Sequence, residues 1–231
     1  MDNILHKYLS ERVRKEHDQT QVKPGPVITL SREYGCYAGE IAHLLTNKLN
    51  LSVQKSDGAY QWQHIAKEIL DDAAHNLKTD PGRIAHIFAA RERSFVEDMA
   101  MAFANTRYVR DPQIKKLIAQ VVRNYAEQGH AVIVGRAGCV LAGDIEQALH
   151  VRLVAPRKYR VQRVMTRFKM TEKEAGAHLT EYDGYRKRFM KFFRGDKPEA
   201  DLFDVVLNRG TLTTDEIVNA IYFMAVEKNL V

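Results

Sequence analysis

No apolar run in the 231 residues approaches the roughly 20 residues that a bilayer-spanning helix needs. The N-terminus, MDNILHKYLSERVRKEHD, lacks the continuous apolar region and small-residue cleavage site of a secretory leader, so a cytoplasmic location is expected and a membrane partner is not. Only two cysteines occur, Cys36 and Cys139. They are too few for a disulfide framework and agree with a reducing compartment. Nine histidines are scattered without metal-ligand spacing, so no protein-held metal is expected. There is no internal repeat and no low-complexity segment.

What is present is ordinary for a globular chain: 45% apolar and 28% charged residues. The length suits one domain, or one domain with a small subdomain. The formal net charge is +6, and the basic residues cluster. Arg152, Arg157, Lys158, Arg160, Arg163, Arg167 and Lys169 form one group; Arg186, Lys187, Arg188, Lys191 and Arg194 form another. Such groups suit polyphosphate, nucleic acid or an acidic surface, and they equally suit a solvated helix face. No recognised nucleic-acid motif accompanies them, which leaves nucleic acid as the weakest of these partners.

Along the chain, residues 1–22 read as a helical arm, with Ile4, Leu5, Tyr8, Leu9 and Val13 on one face. That face must dock on the body of the protein or on a second copy. Lys23-Pro24-Gly25-Pro26 marks the linker to a domain over 23–231. Val27 to Leu30 is the expected first, central strand, followed by a helix from Ala38 or Gly39 that buries Ile41, Ala42, Leu44, Leu45 and Leu49. A second strand is expected at Leu51 to Val53, and a helix from Ala59 to His75. Residues 82–106 and the segment opening at Asp111-Pro112 read as further helices. Ala131 to Val134 is a fully apolar β-branched run, read as a strand buried on both faces. Strands at Leu149 to Val154 and Phe203 to Leu207 follow, with helices from Pro156, from the capping box Thr171-Glu172-Lys173-Glu174, and from Thr213 to Glu227. The last helix is expected to bury Ile217, Ile221 and Met224. Alternating strands and helices predict an α/β fold in three layers, α/β/α, around a central parallel sheet. Ligands then bind beyond the carboxyl ends of the strands, at Arg32 to Gly39, Arg136 to Gly138, Pro156 to Arg163 and Asn208 to Gly210.

The stretch VITLSREYGCYAGEIA, Val27 to Ala42, organises this pattern. A strand, a turn with two glycines and a helix aim first-turn N–H groups at whatever lies above the strand end, which suits an anion and phosphate above all. ITLSREYGCYAGEIA, AVIVGRAG, LHVRLVAPRKYRVQRVM and EYDGYRKRFMKFF, in this order, resemble the cytidylate kinase-like family, relatives of bacterial cytidylate kinases. The resemblance covers roughly residues 25–230. It implies a P-loop kinase-like fold with about five parallel strands, a helical acceptor-binding insertion at about 56–110 and a basic lid at about 156–195. It also implies ATP and Mg²⁺ as cofactors and a nucleotide or other phosphate-bearing small molecule as partner.

Laid on the Walker pattern GxxxxGK[ST], Arg32 falls at the first glycine and Gly35 at the middle one. Tyr37 falls at the second conserved glycine and Ala38 at the lysine, with Glu40 just beyond. The family usually lacks the lysine and keeps S-R-E-Y-G-S-G-G. This chain keeps Ser31 to Gly35 and departs with Cys36-Tyr37-Ala38. By resemblance, Ser31, Gly35, Cys36, Tyr37, Ala38, Gly39 and Glu40 would surround nucleotide phosphates. Arg32, Arg160 and Arg163 would neutralise charge during transfer, with Arg32 standing in for the lysine. Arg136 matches the arginine of the family's G-R-D, whose aspartate is Ala137 here; Asp183 and Arg186 match its D-x-x-R. With Lys115 and Asp57 these would bind the acceptor.

Each assignment has a structural counterpart. The turn can serve only to pack helix on strand, and Asp183 with Arg186 can form an intrahelical pair. Tyr182, Tyr185, Phe189, Phe192 and Phe193, at helical spacing, form either core or a homodimer contact. A thiol at a helix N-terminus can have a lowered pKa, and a redox link between Cys36 and Cys139 is a remote option. Two functions follow from the sequence. One is an ATP-dependent nucleoside monophosphate kinase-like phosphotransferase whose acceptor, by resemblance, is a pyrimidine nucleotide. The other is a catalytically inactive module that binds a nucleotide or anion through a degenerate loop.

Overall fold

Runs of β-branched and aliphatic residues that are covered on both faces become the interior strands of a parallel sheet. In the computed structural model, which describes residues 24–55, 60–66 and 112–231, β1 (Val27–Arg32) is central. Its neighbours are β3 (Ala131–Val134) and β4 (Ala148–Val154), and the edges are β2 (Gln63–Ile65) and β5 (Val205–Asn208). The order is β2-β3-β1-β4-β5 and every pairing is parallel. Val27 lies opposite Ala131 on one side and Ala148 on the other. All carboxyl ends therefore point to one edge of the sheet.

Side chains alternate across the strands and feed two cores. On one face Ile28, Leu30, Val132, Val134, Leu149, Val151 and Leu153 meet α1 (Ala38–Lys55) and α6 (Thr214–Glu227) through Ile41, Leu45, Leu49, Ile217 and Ile221. On the other, Val27, Ile133 and Ala148 meet Ile118, Val121, Val122 and Ala126 of α2 (Pro112–Gln128). The short α3 (Gly138–Leu141) also packs there, against β1. Each fully buried aliphatic side chain stabilises the fold by about 1.5–3 kcal/mol, so the two cores dominate the stability.

A third, smaller core positions the site. α4 (Arg157–Phe168) and α5 (Glu172–Arg194) pack on each other, and their Val161, Val164, Leu179 and Tyr182 close around the ring of Tyr34. Tyr34 stacks on Tyr182 with centroids 4.9 Å apart, and its hydroxyl lies 2.9 Å from His178 Nε2. The loop after β1 is thereby fastened to the basic helices. Thr171 and Glu174 form the expected capping box at the start of α5, and Thr213 with Glu216 forms another at α6.

Several expectations need correction. Leu51 to Val53 is not a strand: α1 continues through Lys55, because Leu45, Leu49 and Val53 keep one buried face at four-residue spacing. The second strand is Gln63–Ile65, and residues 60–62 are not helical. The last strand starts two residues later than expected, at Val205. Leu44 is 37% exposed and Met224 only half-buried. The arm over 1–22, the rest of the helix expected to His75, and the helix expected at 82–106 lie outside the described residues.

Candidate phosphate-binding site

The turn from β1 into α1 has two residues in the left-handed region, Gly35 (φ 86°) and Tyr37 (φ 47°). A Cβ at Gly35 would lie 3.0–3.2 Å from the Cβ, O and Cα of Arg160, so glycine is needed there for conformation and for approach. Tyr37, at the position laid on the second Walker glycine, is left-handed at the cost of backbone strain. Its side chain turns toward α4. The hydroxyl donates to the Arg163 carbonyl at 3.3 Å, and the Arg163 and Arg167 guanidinium carbons lie 5.0 and 4.6 Å from the ring centroid. Ala38 and Gly39 open α1, and nothing lies within 4 Å of a Cβ built on Gly39. Glu40 Oε2 accepts from Arg163 Nη2 and Arg209 Nη2, each at 3.4 Å.

Cys36 is fully buried, and burial first, then the Glu33 carboxylate, pushes its thiol up to about 11. Desolvation here outweighs the nearby helix N-terminus, which alone would lower it. Cys139 is also buried and raised, and its sulfur accepts from Ser31 Oγ at 3.6 Å. Both cysteines are free.

Arg160 and Asp183 serve the framework as it stands. Arg160, 8% exposed, donates from Nε to the Ala155 carbonyl at 3.0 Å and from Nη1 to the Tyr34 carbonyl at 3.2 Å. Nη1 also donates to Asp183 Oδ2 at 2.5 Å, and Nε lies 3.3 Å from Glu33 Oε2. Asp183 Oδ1 accepts from the Tyr34 N–H at 2.8 Å, and Glu33 Oε2 from the Ala155 N–H at 3.1 Å. Arg160, expected among the lid arginines, is buried between two carboxylates and two carbonyls. Asp183, expected to bind the acceptor, holds the loop backbone and Arg160.

The remaining arginines behave differently. Gly135, Arg136 and Ala137 run consecutively left-handed, at φ 75°, 54° and 54°. Two non-glycine residues in that region are a concentration of strain of the kind found at ligand sites. Arg32 reaches across this turn: a Cβ on Gly135 would be 1.8 Å from its Nη1. Arg186 lies 5.0 Å from the Tyr34 ring, and among the described residues its buried Nη1 has no hydrogen-bond partner. Burial lowers all three guanidiniums, with Arg136 brought to about 9 and Arg186 to about 10. Their neighbours add to this: Arg186 lowers both Arg32 and Arg136, while Asp183 partly offsets the effect on Arg186. Guanidiniums keep their protons in proteins, so the shifts mark mainly the cost of burying these charges, to which their mutual repulsion adds at Arg32 and Arg136, and a bound anion would offset both.

Two cavities meet at these arginines. One, of about 920 Å³, lies between the turn and α4 and is lined by Gly35, Tyr37, Gly39, Glu40, Arg163 and Arg167 among others. The second, of about 370 Å³, lies between β3 and α5; Ser31, Gly135, Arg136, Asp183, Met190 and Arg152 contribute to its wall. Arg32, Glu33 and Arg186 line both. The arrangement can hold two anionic molecules with their charged ends adjoining.

Asp57 and the side chain of Lys115 lie outside the described residues. Among those described, no three His, Cys, Asp or Glu side chains converge as metal ligands do. The aromatic stripe divides: Tyr182 is buried on Tyr34, Phe189 packs on the α2 core, and Phe192 is 51% exposed. Sequence reading placed Glu33 and Arg209 in loops that follow strands and Gly135 just before Arg136, but gave none of the three a role in the site. Gly135 carried a signal, a glycine directly after a buried strand. Arg209 also followed a strand, but no spacing linked it to a turn 170 residues away.

A parallel five-stranded sheet covered by helices, with a glycine-containing turn leading from its central strand into a helix, defines an α/β protein with a P-loop kinase-like fold. The chain belongs to the cytidylate kinase-like family, whose sequence profile matches residues 27–211. An uncharacterized protein from Eubacterium ventriosum superimposes with a TM-score of 0.61 at 21% identity, over 87% of this chain and 98% of that one. A shikimate kinase from Acinetobacter baumannii in complex with shikimate matches at TM-score 0.49 and 10% identity, over 90% and 97% of the two chains. A uronate isomerase of Corynebacterium glutamicum is 26% identical over 159 residues, 67% of this chain. The chain thus spans only 28% of that relative's length. Among the described residues, no helix is long and apolar enough to cross a membrane.

Proposed function

We propose that the protein is a nucleotide-dependent phosphotransferase, with ATP as donor in the larger cavity and a nucleoside monophosphate, a pyrimidine nucleotide by family resemblance, as acceptor in the smaller. The observation that carries this reading is the pair of adjoining cavities with Arg32 and Arg186 in both walls. Phosphoryl transfer needs positioned reactants and cations at the transferred group rather than a nucleophilic side chain. Arg32 and Arg186 would neutralise that group from the acceptor side, and Arg163 from α4. Arg136 would hold the acceptor's phosphate from the turn after β3.

The turn's residues fit a polyphosphate: Gly35 is left-handed, α1 begins with two residues of small or absent side chain, and the surrounding arginines are crowded. Mg²⁺ is held in such enzymes by one or two carboxylates and the phosphates themselves, and Glu40 is the carboxylate at the start of α1. When bound, the ion would add charge neutralisation. The direct test is turnover. Purified protein with ATP, Mg²⁺ and a panel of nucleoside monophosphates should form diphosphates well above background, and no turnover with any of them would reject the reading.

A second reading, a binding module without catalysis, is favoured by Ala38 in the lysine position and by Glu40, whose carboxylate is already shared by Arg163 and Arg209. Calorimetric binding of nucleotide without any turnover would select it.

A further inference from the structure

Arg209 follows β5, at the sheet edge furthest from β2, and lines neither cavity. It is nonetheless one of the most buried charges in the described protein, at 4% exposure. Its backbone N–H donates to the Val154 carbonyl at 2.8 Å, which fixes its base at the end of β4. Its side chain then runs behind the phosphate turn. Nη1 donates to the Cys36 carbonyl at 3.1 Å; Nη2 donates to Thr214 Oγ1 at 3.0 Å and lies 3.4 Å from Glu40 Oε2. One guanidinium thus ties together the turn, the first turn of α1 and the first residue of α6.

The Cys36 carbonyl is the informative contact. A peptide unit is planar and trans, so its C=O and the following N–H point in opposite directions. Holding the Cys36 carbonyl toward Arg209 sends the Tyr37 N–H the other way. Arg209 lies outside the larger cavity and Tyr37 is in its wall, so fixing this peptide fixes part of the cavity's lining. Tyr37 also needs support, because a tyrosine at φ 47° relaxes out of the left-handed region unless its surroundings fix it. The turn carries no lysine, and Arg209 sets a fixed positive charge directly beneath it. The planar fork of arginine makes these three contacts at once; a lysine ammonium on a flexible stem cannot reproduce them.

We propose that Arg209 is the positioning residue of this site, holding the glycine-poor turn in its phosphate-binding shape from behind and compensating for the side chains the turn has lost. The inference rests on the larger cavity being a polyphosphate site, as the proposed function has it.

The test uses the full chain and calorimetric titration with inorganic tripolyphosphate and, separately, with ATP and Mg²⁺. Arg209→Met and Arg209→Lys should each lose about tenfold or more in affinity for both ligands. Hydrogen exchange at residues 35–40 should accelerate in both variants while β1, β3 and β4 keep their protection. Failure of lysine to restore affinity separates positioning from charge alone; full rescue by Arg209→Lys would overturn the positioning role. Unchanged affinity in Arg209→Met, with the wild type binding, would overturn this inference alone. No binding by the wild type would overturn it together with the proposed function. If Arg209→Met does not fold, Thr214→Val removes one of the three anchors, and the same acceleration at 35–40 with weakened tripolyphosphate binding is expected; native affinity and native exchange there would count against the proposal.

Discussion

At the residue scale, arginines of one type divide into two kinds by what surrounds them. Arg160 has carboxylates on two sides, Asp183 and Glu33, and two carbonyls to complete its bonds. Arg186 also faces Asp183 but lies near Arg32 and Arg136, with a buried nitrogen that no described residue satisfies. Replacing Arg160 by Met leaves two partly buried carboxylates without their cation and should cost about 3 kcal/mol in a urea denaturation curve. Arg186→Met removes a crowded charge, so the unliganded protein should keep its stability to within about 1 kcal/mol and lose its response to pyrophosphate in a thermal shift assay. Equal destabilisation by the two would refute the division. Gly135 supplies a related prediction. Gly135→Ala combines φ 75° with a methyl group in the space of Arg32 Nη1. It should cost about 1–2 kcal/mol of stability and displace Arg32, so pyrophosphate binding should weaken as well. The types of these residues were legible in the sequence, as basic groups after strands. Their division was not, because it depends on which carboxylates the fold brings within 3.5 Å of each guanidinium.

At the scale of elements, the sequence was most readable where burial repeats. Val27 to Leu30 and Ala131 to Val134 are continuous apolar runs, and both are interior strands. Thr171 and Glu174 announced a helix start that the capping box realises. β2 was unreadable for the same reason inverted: Gln63 and His64 are exposed and only Ile65 is buried, so an edge strand of three residues has no pattern. Leu51 to Val53 looked like a strand because three residues cannot separate the two periods; the buried series at 45, 49 and 53 does. The junction of β1 and β4 makes a further prediction. Thr29 Oγ1 and His150 Nδ1 lie 2.8 Å apart, and burial depresses the imidazole pKa below its usual 6.5, with Asp204 opposing and Lys228 adding. The unfolded chain therefore binds a proton more readily, and the stability from neutral His150 is present above about pH 6.5 and declines as the pH falls below it. His150→Gln should flatten that acid-side decline in melting temperature; an unchanged pH profile would show that His150 does not contribute to it.

At the scale of the whole molecule, the sheet brings the ends of β1, β3 and β4 to one edge, and the third core fixes α4 and α5 over them. That arrangement makes two cavities rather than one, separated by Arg32, Glu33 and Arg186. The fold was expected from the alternation of strands and helices, and the excess of positive charge from composition. The meeting of the two cavities depends on the left-handed turn at Gly135 to Ala137, which no periodicity reports. The central claim is that these cavities hold the two partners of one transfer with their phosphates adjoining. Calorimetric titration with a single molecule that joins adenosine to cytidine through five phosphates tests it most directly. The account predicts one binding site per chain, at least tenfold tighter than ATP alone, with the advantage lost in Arg32→Met. Affinity no better than that of ATP, and indifferent to Arg32, would contradict it.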